Sequence, residues 1–309
     1  MKYAFIYPGQ GSQTLGMGKD FRQNFPIARE LSEQASEVLH FNMNNLLDSD
    51  EDKLNQTQYT QPAIFLVSAM AHTIMKQEFG IQATLAFGHS LGEVSAYCLN
   101  GGATLENSIL LTHKRGQFMA EACKNNGGDS QEVGMMVCLG LATDMLESIC
   151  QTAQQEGLKT WAANYNLDNQ IVLAGVKKDL EIVGERLKSA GAKRIMLLKM
   201  NVASHCPLLE SCVSRFYELL EKNISDSELE IISNANVNLY KTKSEALKNL
   251  TEQLTKPVLY TKSVLKAKEL GIETFIELGN GNILAGLNNK ITDIPTLSIH
   301  NTESLKLLG

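Results

Sequence analysis

The chain lacks several features that would place it in well-defined classes of protein. No apolar run among its 309 residues approaches the ~20 that a membrane-spanning helix requires, and the apolar stretch near its start is too short for a signal peptide. The six cysteines include no Cys-x-x-Cys pair, which argues against a zinc site and indicates reduced, buried thiols. Positive charge is not in excess, because the net charge is −6, and nucleic-acid binding is therefore disfavoured. We expect a cytoplasmic protein without a metal site.

The sequence also lacks internal repeats and low-complexity segments. Hydrophobic residues make up 43% of it, which is ample for one large domain or two of ordinary size. Composition changes at residues 125–130, and the following segment has the pattern β-α-β-β-α-β, the order of a ferredoxin-like unit. The predicted fold is therefore α/β. An α/β-hydrolase-like catalytic domain with a parallel sheet spans 1–127 and 201–309, and a ferredoxin-like small domain spans 128–200.

The most informative stretch is Gly88-His89-Ser90-Leu91-Gly92, which follows an apolar strand pattern and precedes a helical one. It matches the Gly-x-Ser-x-Gly pattern of a nucleophile elbow, in which serine occupies a sharp corner and the flanking glycines avoid a clash. The N–H of Leu91 would point at the oxygen of an attacked carbonyl, near the positive end of the helix. The alternative is a glycine-flanked turn that contains serine by chance.

A serine nucleophile needs a base, and His205 is the best candidate among the six histidines. It stands in a loop where the chain returns to the larger domain, and it follows the serine in the order used by α/β-hydrolases. His89 is expected to pack against its neighbours, and Cys206 to be a buried thiol rather than a rival nucleophile. No carboxylate between Ser90 and His205 presents itself as a third member, but a backbone carbonyl can orient a histidine instead.

A second candidate binding segment is the loop at residues 8–13, which follows the first predicted strand. Open α/β sheets bind ligands at the carboxyl ends of their strands, and two glycines in this loop let the backbone approach a ligand. Gln10 can donate a hydrogen bond there. Thr14 stands where a dinucleotide fingerprint requires its third glycine, so a nucleotide cofactor is not expected.

Six short motifs stand out along the chain. They are Gly9-Gln10-Gly11-Ser12-Gln13, Gly88-His89-Ser90-Leu91-Gly92-Glu93, Arg115-Gly116-Gln117-Phe118-Met119, Ser204-His205-Cys206, Glu252-Gln253-Leu254 and Gly279-Asn280-Gly281. In order and spacing this set resembles the motifs of the malonyl-CoA:acyl carrier protein transacylases. The resemblance covers nearly the whole chain, including the inserted small domain. Each motif alone is a weak signal, whereas the ordered set is specific.

The resemblance implies roles for individual residues. Ser90 would attack the malonyl thioester and become an acyl ester, and His205 would take its proton and later activate the incoming thiol. The backbone N–H groups of Gln10 and Leu91 would form the oxyanion hole. The remaining implied roles are a carboxylate-binding role for Arg115, an orienting role toward His205 for the main-chain carbonyl of Gln253, and a position beside the CoA path for Gln61.

The role of Arg115 also has a physical argument of its own, set against the usual fate of arginine as a solvated helix charge. A malonyl group carries a second carboxylate, which a planar guanidinium can bind through two hydrogen bonds. An acetyl group would leave a buried arginine unpaired, at a cost of about 2–5 kcal/mol. Such a site would therefore select a diacid.

The function implied is transfer of malonyl from malonyl-CoA to the phosphopantetheine thiol of acyl carrier protein, in fatty-acid synthesis. No cofactor is expected beyond the CoA thioester as substrate, and the chain is expected to act as a monomer. Five basic residues of the small domain are candidates for carrier-protein contact: Lys177, Lys178, Lys188, Lys193 and Arg194. The alternatives are a serine thioesterase or other hydrolase, an acyl transferase of a polyketide pathway, and a non-catalytic module that binds CoA or the carrier protein.

Overall fold

The computed structural model describes residues 2–127 and 132–308, and this part of the chain forms two β-sheets. The larger sheet contains β1 (Tyr3–Tyr7), β2 (Leu85–Gly88), β7 (Glu230–Ile232), β8 (Leu239–Tyr240), β9 (Thr274–Leu278) and β10 (Thr296–Ile299). The smaller sheet contains β3 (Val133–Leu139), β4 (Thr160–Leu167), β5 (Gln170–Val176) and β6 (Arg194–Leu197). The protein is thus a mixed α/β structure with a parallel main sheet.

The larger sheet has the strand order β10-β9-β1-β2-β7-β8. All neighbouring pairs are parallel except β7 and β8 at one edge. Its central strands are apolar and buried, as expected for a parallel sheet covered on both faces. The carboxyl ends of β1 and β2 meet at one edge, where the N–H of His89 donates to the carbonyl of Tyr7 at 3.1 Å. The loop after β1 and the turn after β2 therefore lie side by side.

Helices cover both sheets. In chain order they are α1 (Lys19–Asn24), α2 (Pro26–Leu39), α3 (Met43–Ser49), α4 (Glu51–Leu54), α5 (Thr57–Phe79), α6 (Leu91–Tyr97), α7 (Leu105–Gly127), α8 (Thr143–Gln155), α9 (Lys177–Ser189), α10 (Glu210–Asn223), α11 (Lys243–Thr255), α12 (Tyr260–Glu269) and α13 (Ile283–Ile291). Across the described ranges, no helix combines the length and the apolar character that crossing a membrane requires.

The long helices α5 and α7 pack closely, and α7 contributes Arg115 and Met119 to the lining of the site described below. A Cβ on Gly116 of α7 would lie 2.5 Å from the carbonyl oxygen of Thr57 on α5, so this approach requires glycine. Pro62 lies inside α5 and cannot donate a hydrogen bond to the carbonyl of Gln58. The ring Nδ1 of His113 on α7 donates to that carbonyl instead, at 2.7 Å. His113 therefore contributes to helix packing.

The smaller sheet is antiparallel with the strand order β4-β5-β3-β6. The helices α8 and α9 cover it, and buried leucines at 146, 180 and 187 belong to their shared core. The chain order is β3-α8-β4-β5-α9-β6, so the β-α-β-β-α-β order predicted from the sequence is confirmed. The predicted boundary between residues 127 and 128 adjoins 128–131, which lie outside the described residues.

Several element bounds differ from those the sequence pattern predicts. The helices α1, α3 and α4 and the two-residue strand β8 have no clear periodicity, because elements this short depend on tertiary packing. The pattern Thr60-Gln61-Pro62 predicts a helix start at Thr60, whereas α5 begins at Thr57. The sequence pattern predicts a strand over residues 193–200, whereas β6 ends at Leu197, because the N–H of Met200 donates to the carbonyl of Leu198 in a turn.

Candidate active site

Ser90 occupies the corner between β2 and α6, in a conformation that is rare for a residue with a side chain. Its φ is 55° and its ψ is −107°. A Cβ on Gly88 would lie 2.3 Å from the carbonyl carbon of Gly92, and one on Gly92 would lie 1.9 Å from the carbonyl oxygen of Tyr7. The predicted need for glycine on both sides of the serine is therefore confirmed. The corner is strained, and its two glycines touch backbone.

Asn234, which follows β7, braces this corner from the neighbouring strand. Its Nδ2 donates to the carbonyl of Gly88 at 2.8 Å, and its Oδ1 accepts from the N–H of Ser90 at 2.8 Å. The side chain thus provides hydrogen-bond partners for the backbone on both sides of the turn, where the chain leaves the sheet and its ladder of hydrogen bonds ends. Asn234 is fully buried, so these bonds are shielded from water.

The Ser90 hydroxyl is hydrogen-bonded to His205 across a distance of 2.7 Å between Oγ and Nε2. The other ring nitrogen, Nδ1, lies 2.7 Å from the main-chain carbonyl oxygen of Gln253. Because a carbonyl only accepts, Nδ1 carries the proton and Nε2 is left free to accept from the serine. The carbonyl of Gln253 thus holds the imidazole in the tautomer that a general base needs.

The surroundings of His205 favour its neutral form. Burial, followed by the nearby positive charge of Arg115, lowers the pKa of His205 to about 3, while its bond to the Gln253 carbonyl opposes the shift. A neutral imidazole next to a serine hydroxyl can accept the serine proton as the oxygen attacks a carbonyl carbon. The pair can therefore perform nucleophilic acyl chemistry without a carboxylate on Nδ1.

Arg115 lies on α7 and is 1% exposed, although an arginine on a helix would ordinarily be solvated. Its Nη1 donates to Oε1 of Gln61 at 2.8 Å, and its Nη2 donates to Oε1 of Gln253 at 2.9 Å. Its Nε is buried and has no hydrogen-bond partner among the described residues. Burial lowers the pKa of Arg115 to about 10, so the guanidinium stays charged near neutral pH.

A cavity of about 250 Å³ brings these groups together. Its lining residues are Gln10, Gly11, Gln13, Asn55, His89, Ser90, Leu91, Arg115, Met119, Met135, Asn164, Leu198, Lys199, Met200, Ser204 and His205. With the histidines neutral, the charged residues among these described lining residues are Arg115 and Lys199, and both are positive. Arg115 is buried and Lys199 is exposed. The cavity therefore suits an anionic ligand.

Two further predicted residues line the same cavity. Leu91 is the first residue of α6, where a backbone N–H has no acceptor within the helix. Gln10 lies in the loop after β1, and its Nε2 donates to Oγ1 of Thr57 at 3.0 Å. The side chain of Gln10 is thereby anchored to α5, and the residue lines the cavity.

Three other residues that the sequence singles out are buried or hydrogen-bonded. We expect Gln61 beside the CoA path; in the structure it is 1% exposed, and its amide contacts Arg115 and Met119. His89 lines the cavity and is also hydrogen-bonded to Asn166 at 2.8 Å, which fits a packed, orienting side chain. Cys206 is a buried thiol whose pKa burial raises to about 12.

The basic residues of the small domain do not all remain free for a partner. Lys177 pairs with Glu132 at 2.7 Å, and Lys188 pairs with Glu185 at 2.6 Å. Within the described ranges, no group of three or more His, Cys, Asp and Glu side chains is placed to hold a metal ion.

Sequence reasoning missed three polar residues behind the site. Asn234 contacts the serine backbone, Glu93 accepts from Gln253, and Tyr240 donates to Glu93. The signal for Asn234 is its place directly after the apolar strand pattern at residues 230–233, but the sequence does not show which strand lies next to that one in the sheet. Glu93 belongs to the elbow motif, yet its position gave no indication of what it contacts.

The fold and the site define a class: an α/β acyl-transfer enzyme built around a serine and a histidine. A family model for the acyl transferase domain matches residues 4–290. The chain is 33% identical to a malonyl CoA-acyl carrier protein transacylase of Bacillus subtilis, over 99% of this chain and 96% of the relative. The chain belongs to the malonyl-CoA:acyl carrier protein transacylase family, and it is an acyltransferase.

Solved structures agree over the full length. The crystal structure of malonyl-CoA:acyl carrier protein transacylase from Helicobacter pylori has a TM-score of 0.94 and 43% identity, and the match covers 99% of this chain and 97% of that one. A malonyl-transacylase solved in complex with its type II PKS acyl-carrier protein also has a TM-score of 0.94. It is 31% identical, over 100% of this chain and 99% of that one.

Proposed function

We propose that this chain transfers the malonyl group of malonyl-CoA to the phosphopantetheine thiol of acyl carrier protein, through an acyl ester on Ser90. The observation that carries the proposal is the cavity in which the Ser90–His205 pair faces a buried, incompletely paired Arg115. A serine–histidine pair alone would serve any acyl group. The buried guanidinium adds a reason to prefer an acyl group that ends in a carboxylate.

The first half-reaction follows from the hydrogen bonds around Ser90. Its Oγ attacks the thioester carbonyl carbon while Nε2 of His205 takes the hydroxyl proton. The oxyanion of the tetrahedral intermediate lies between the backbone N–H groups of Gln10 and Leu91, which stabilise its charge. When the intermediate collapses, the carbon–sulfur bond breaks, and the CoA thiolate receives the proton from His205. The malonyl group then remains as an ester of Ser90.

The second half-reaction reverses these roles with a different thiol. The carrier-protein thiol gives its proton to Nε2 of His205, and its sulfur attacks the ester carbonyl. The bond to Ser90 breaks, and the serine oxygen recovers the proton from His205. Between the two steps, the guanidinium of Arg115 holds the malonyl carboxylate and the main-chain carbonyl of Gln253 holds the imidazole.

The finer architecture is part of the same proposal. We propose an α/β-hydrolase-like catalytic domain over 1–127 and 201–309, and a ferredoxin-like small domain over 128–200. The parallel main sheet with its serine corner supports the first assignment. The small sheet supports the second, since its order β4-β5-β3-β6 is that of a β-α-β-β-α-β unit whose first and third strands lie at the centre. The six cysteines, all free and buried, support a cytoplasmic location.

The test is intact-mass analysis after exposure to malonyl-CoA without an acceptor, with the modified residue mapped. We expect one malonyl adduct, on Ser90, together with one equivalent of CoA. The adduct should disappear on addition of carrier protein carrying the phosphopantetheine thiol, and Ser90→Ala should form no adduct. Continuous CoA release without an acceptor would instead identify a thioesterase, and CoA binding without any adduct would identify a binding module.

The pathway that the enzyme serves is tested by comparing carrier proteins as acceptors of the malonyl group. The relative solved in complex with its type II PKS acyl-carrier protein makes a polyketide carrier the relevant comparison. We propose fatty-acid synthesis and expect a fatty-acid carrier protein from the source organism to accept malonyl with the higher kcat/KM. A consistently higher value for a polyketide carrier from that organism would assign the chain to that pathway.

A further inference from the structure

Glu93 is a fully buried carboxylate behind the serine corner. It lies on α6, and its two oxygens accept hydrogen bonds from three separate segments. Oε2 accepts from the N–H of Asn234 at 3.0 Å and from Nε2 of Gln253 at 2.6 Å, and Oε1 accepts from the hydroxyl of Tyr240 at 2.9 Å. Burial raises the pKa of Glu93 to about 7, while these donors and the charge of Arg115 act in the opposite direction.

The amide of Gln253 connects this carboxylate to Arg115. Its Nε2 donates to Glu93 and also to the carbonyl of Ser90 at 2.9 Å, and its Oε1 accepts from Nη2 of Arg115 at 2.9 Å. An ionised carboxylate only accepts, so it requires the NH₂ side of the amide to face it. Glu93 therefore determines that the amide oxygen of Gln253 faces the guanidinium.

Among the described residues, Arg115 has no direct ion pair to balance its charge. Among the residues that the structure describes, its two terminal nitrogens contact the neutral amide oxygens of Gln61 and Gln253. An isolated buried charge is costly, and buried charges are ordinarily paired. Glu93 is a counter-charge at the distance of one amide group, close enough to favour the charged form of Arg115.

We propose that Glu93 is the resident counter-charge of Arg115, which Gln253 keeps one amide away so that the guanidinium remains open to the substrate carboxylate. The inference rests on the proposed function, in which Arg115 binds the malonyl carboxylate. A carboxylate directly on Arg115 would stabilise the empty site and compete with the substrate. A site without any counter-charge would bind the malonyl anion more tightly. Glu93 and Gln253 are thus positioning residues that determine acyl selectivity.

The charge of Glu93 can be removed with little change of shape. In Glu93→Gln, the amide oxygen can still accept from Asn234 and Gln253, while the amide nitrogen can donate to the oxygen of Tyr240. We expect the KM for malonyl-CoA to fall by about three- to tenfold, and the KM for acetyl-CoA to stay the same, because only malonyl gains from the uncompensated charge. The malonyl-to-acetyl ratio of kcat/KM should therefore rise.

The exchanged variant Glu93→Gln with Gln253→Glu tests the opposite arrangement at constant net charge. It places the carboxylate against Nη2 of Arg115, where it competes directly with the substrate. We expect the malonyl-to-acetyl ratio to fall below that of the unmodified enzyme by about tenfold or more. Opposite movements of this ratio in the two variants would not follow from a merely structural role.

A milder variant keeps the test decisive if the first two do not fold. Tyr240→Phe withdraws one donor from Glu93, which raises the pKa of the carboxylate and leaves more of it uncharged near neutral pH. We expect the ratio to rise as in Glu93→Gln, but by less. Glu277→Gln is the matched control, because Glu277 is a second buried carboxylate and accepts from the backbone of α13 and from Ser298. It should leave the ratio unchanged.

The outcomes separate the two proposals. If the unmodified enzyme forms no malonyl adduct on Ser90, the proposed function fails. If the enzyme forms the adduct and Arg115 governs its selectivity, but the folded variants at Glu93, Gln253 and Tyr240 change malonyl and acetyl kinetics by equal factors, only the counter-charge inference is overturned.

Discussion

Replacing Arg115 with methionine removes the positive charge from the cavity beside Ser90 and keeps an unbranched apolar side chain. The change is well placed to test acyl selectivity, because the guanidinium is 1% exposed and its Nε has no partner among the described residues. Methionine can occupy much of the volume next to α5. Gln61 and Gln253 each lose one donor, but neither loses a counter-charge.

The expected loss of kcat/KM follows from burial of the ion pair between Arg115 and the malonyl carboxylate. A malonyl carboxylate that enters this cavity gives up water and gains a guanidinium; without Arg115 it gives up water alone. Removing one partner of a buried, hydrogen-bonded charge pair costs about 2–5 kcal/mol, which corresponds to a decrease in kcat/KM of about 30- to 5,000-fold. An acetyl group has no carboxylate, so its kcat/KM should stay the same or rise.

The assay is the rate of CoA release in single turnovers, measured in parallel with malonyl-CoA and acetyl-CoA. Arg186→Met is the matched control, because Arg186 lies on α9 and pairs at the surface with Glu156 at 2.5 Å. It should leave both rates unchanged. A loss of malonyl and acetyl acylation by the same factor in Arg115→Met would mean that Arg115 supports the structure of the site and does not recognise the carboxylate.

Three further predictions concern the corner, the cavity mouth and the base. Gly92→Ala should lower the free energy of unfolding by about 1–3 kcal/mol and abolish acylation, because the new Cβ would lie 1.9 Å from the carbonyl oxygen of Tyr7. Thermal unfolding measures the first effect, and the mass of the adduct measures the second. Lys199→Met should raise the KM for malonyl-CoA by up to about fivefold, because it removes an exposed ion pair with a phosphate of CoA. The KM for malonyl-pantetheine, which carries no phosphate, should not change. The acylation rate should fall on the acid side only at a pH well below 6.5, the ordinary pKa of histidine, because the pKa of His205 is lowered to about 3. Arg115→Met removes one cause of that lowering and should move this acid limb of the pH–rate profile to higher pH.

Each of these has a control and a contradicting result. Gly286→Ala in α13, where a Cβ would meet no atom of the described residues within 4 Å, should not destabilise the protein, and equal Tm values for the two alanine variants would refute the steric argument. Lys178→Met, at an exposed lysine outside the cavity lining, should leave both KM values unchanged. An effect of Lys199→Met that is equal for both malonyl thioesters would exclude a phosphate contact. An acid limb near 6.5 in the unmodified enzyme would contradict a depressed pKa of His205.

The site differs from the usual serine hydrolase in where its carboxylate lies. Nδ1 of His205 contacts the main-chain carbonyl of Gln253, and the side chain of the same residue contacts Glu93. One glutamine therefore connects the base, the serine backbone, the carboxylate and Arg115. A neutral partner on Nδ1 stabilises a protonated imidazole less than an aspartate would, which agrees with the low pKa of His205.

The sequence by itself determined those features that depend on local spacing. Glycine two positions on either side of Ser90 is required by backbone contacts within one turn and by the strand next to it, so the corner could be read from five residues. Alternating strand and helix patterns were sufficient to predict the parallel sheet and the β-α-β-β-α-β segment. The order of the motifs was sufficient to indicate the family, and Ser90, His205 and Arg115 do lie around one cavity.

Only the tertiary structure decided which polar groups meet behind that cavity. The contact from Asn234 to Ser90 joins residues 144 apart, and that from Gln253 to Glu93 joins residues 160 apart. Neither follows from periodicity, because each depends on which strands are neighbours and on how a helix packs across the sheet. The same holds for the burial of Arg115, which requires the close approach of α5 and α7. Local spacing thus specified the serine corner, and packing specified its electrostatic environment.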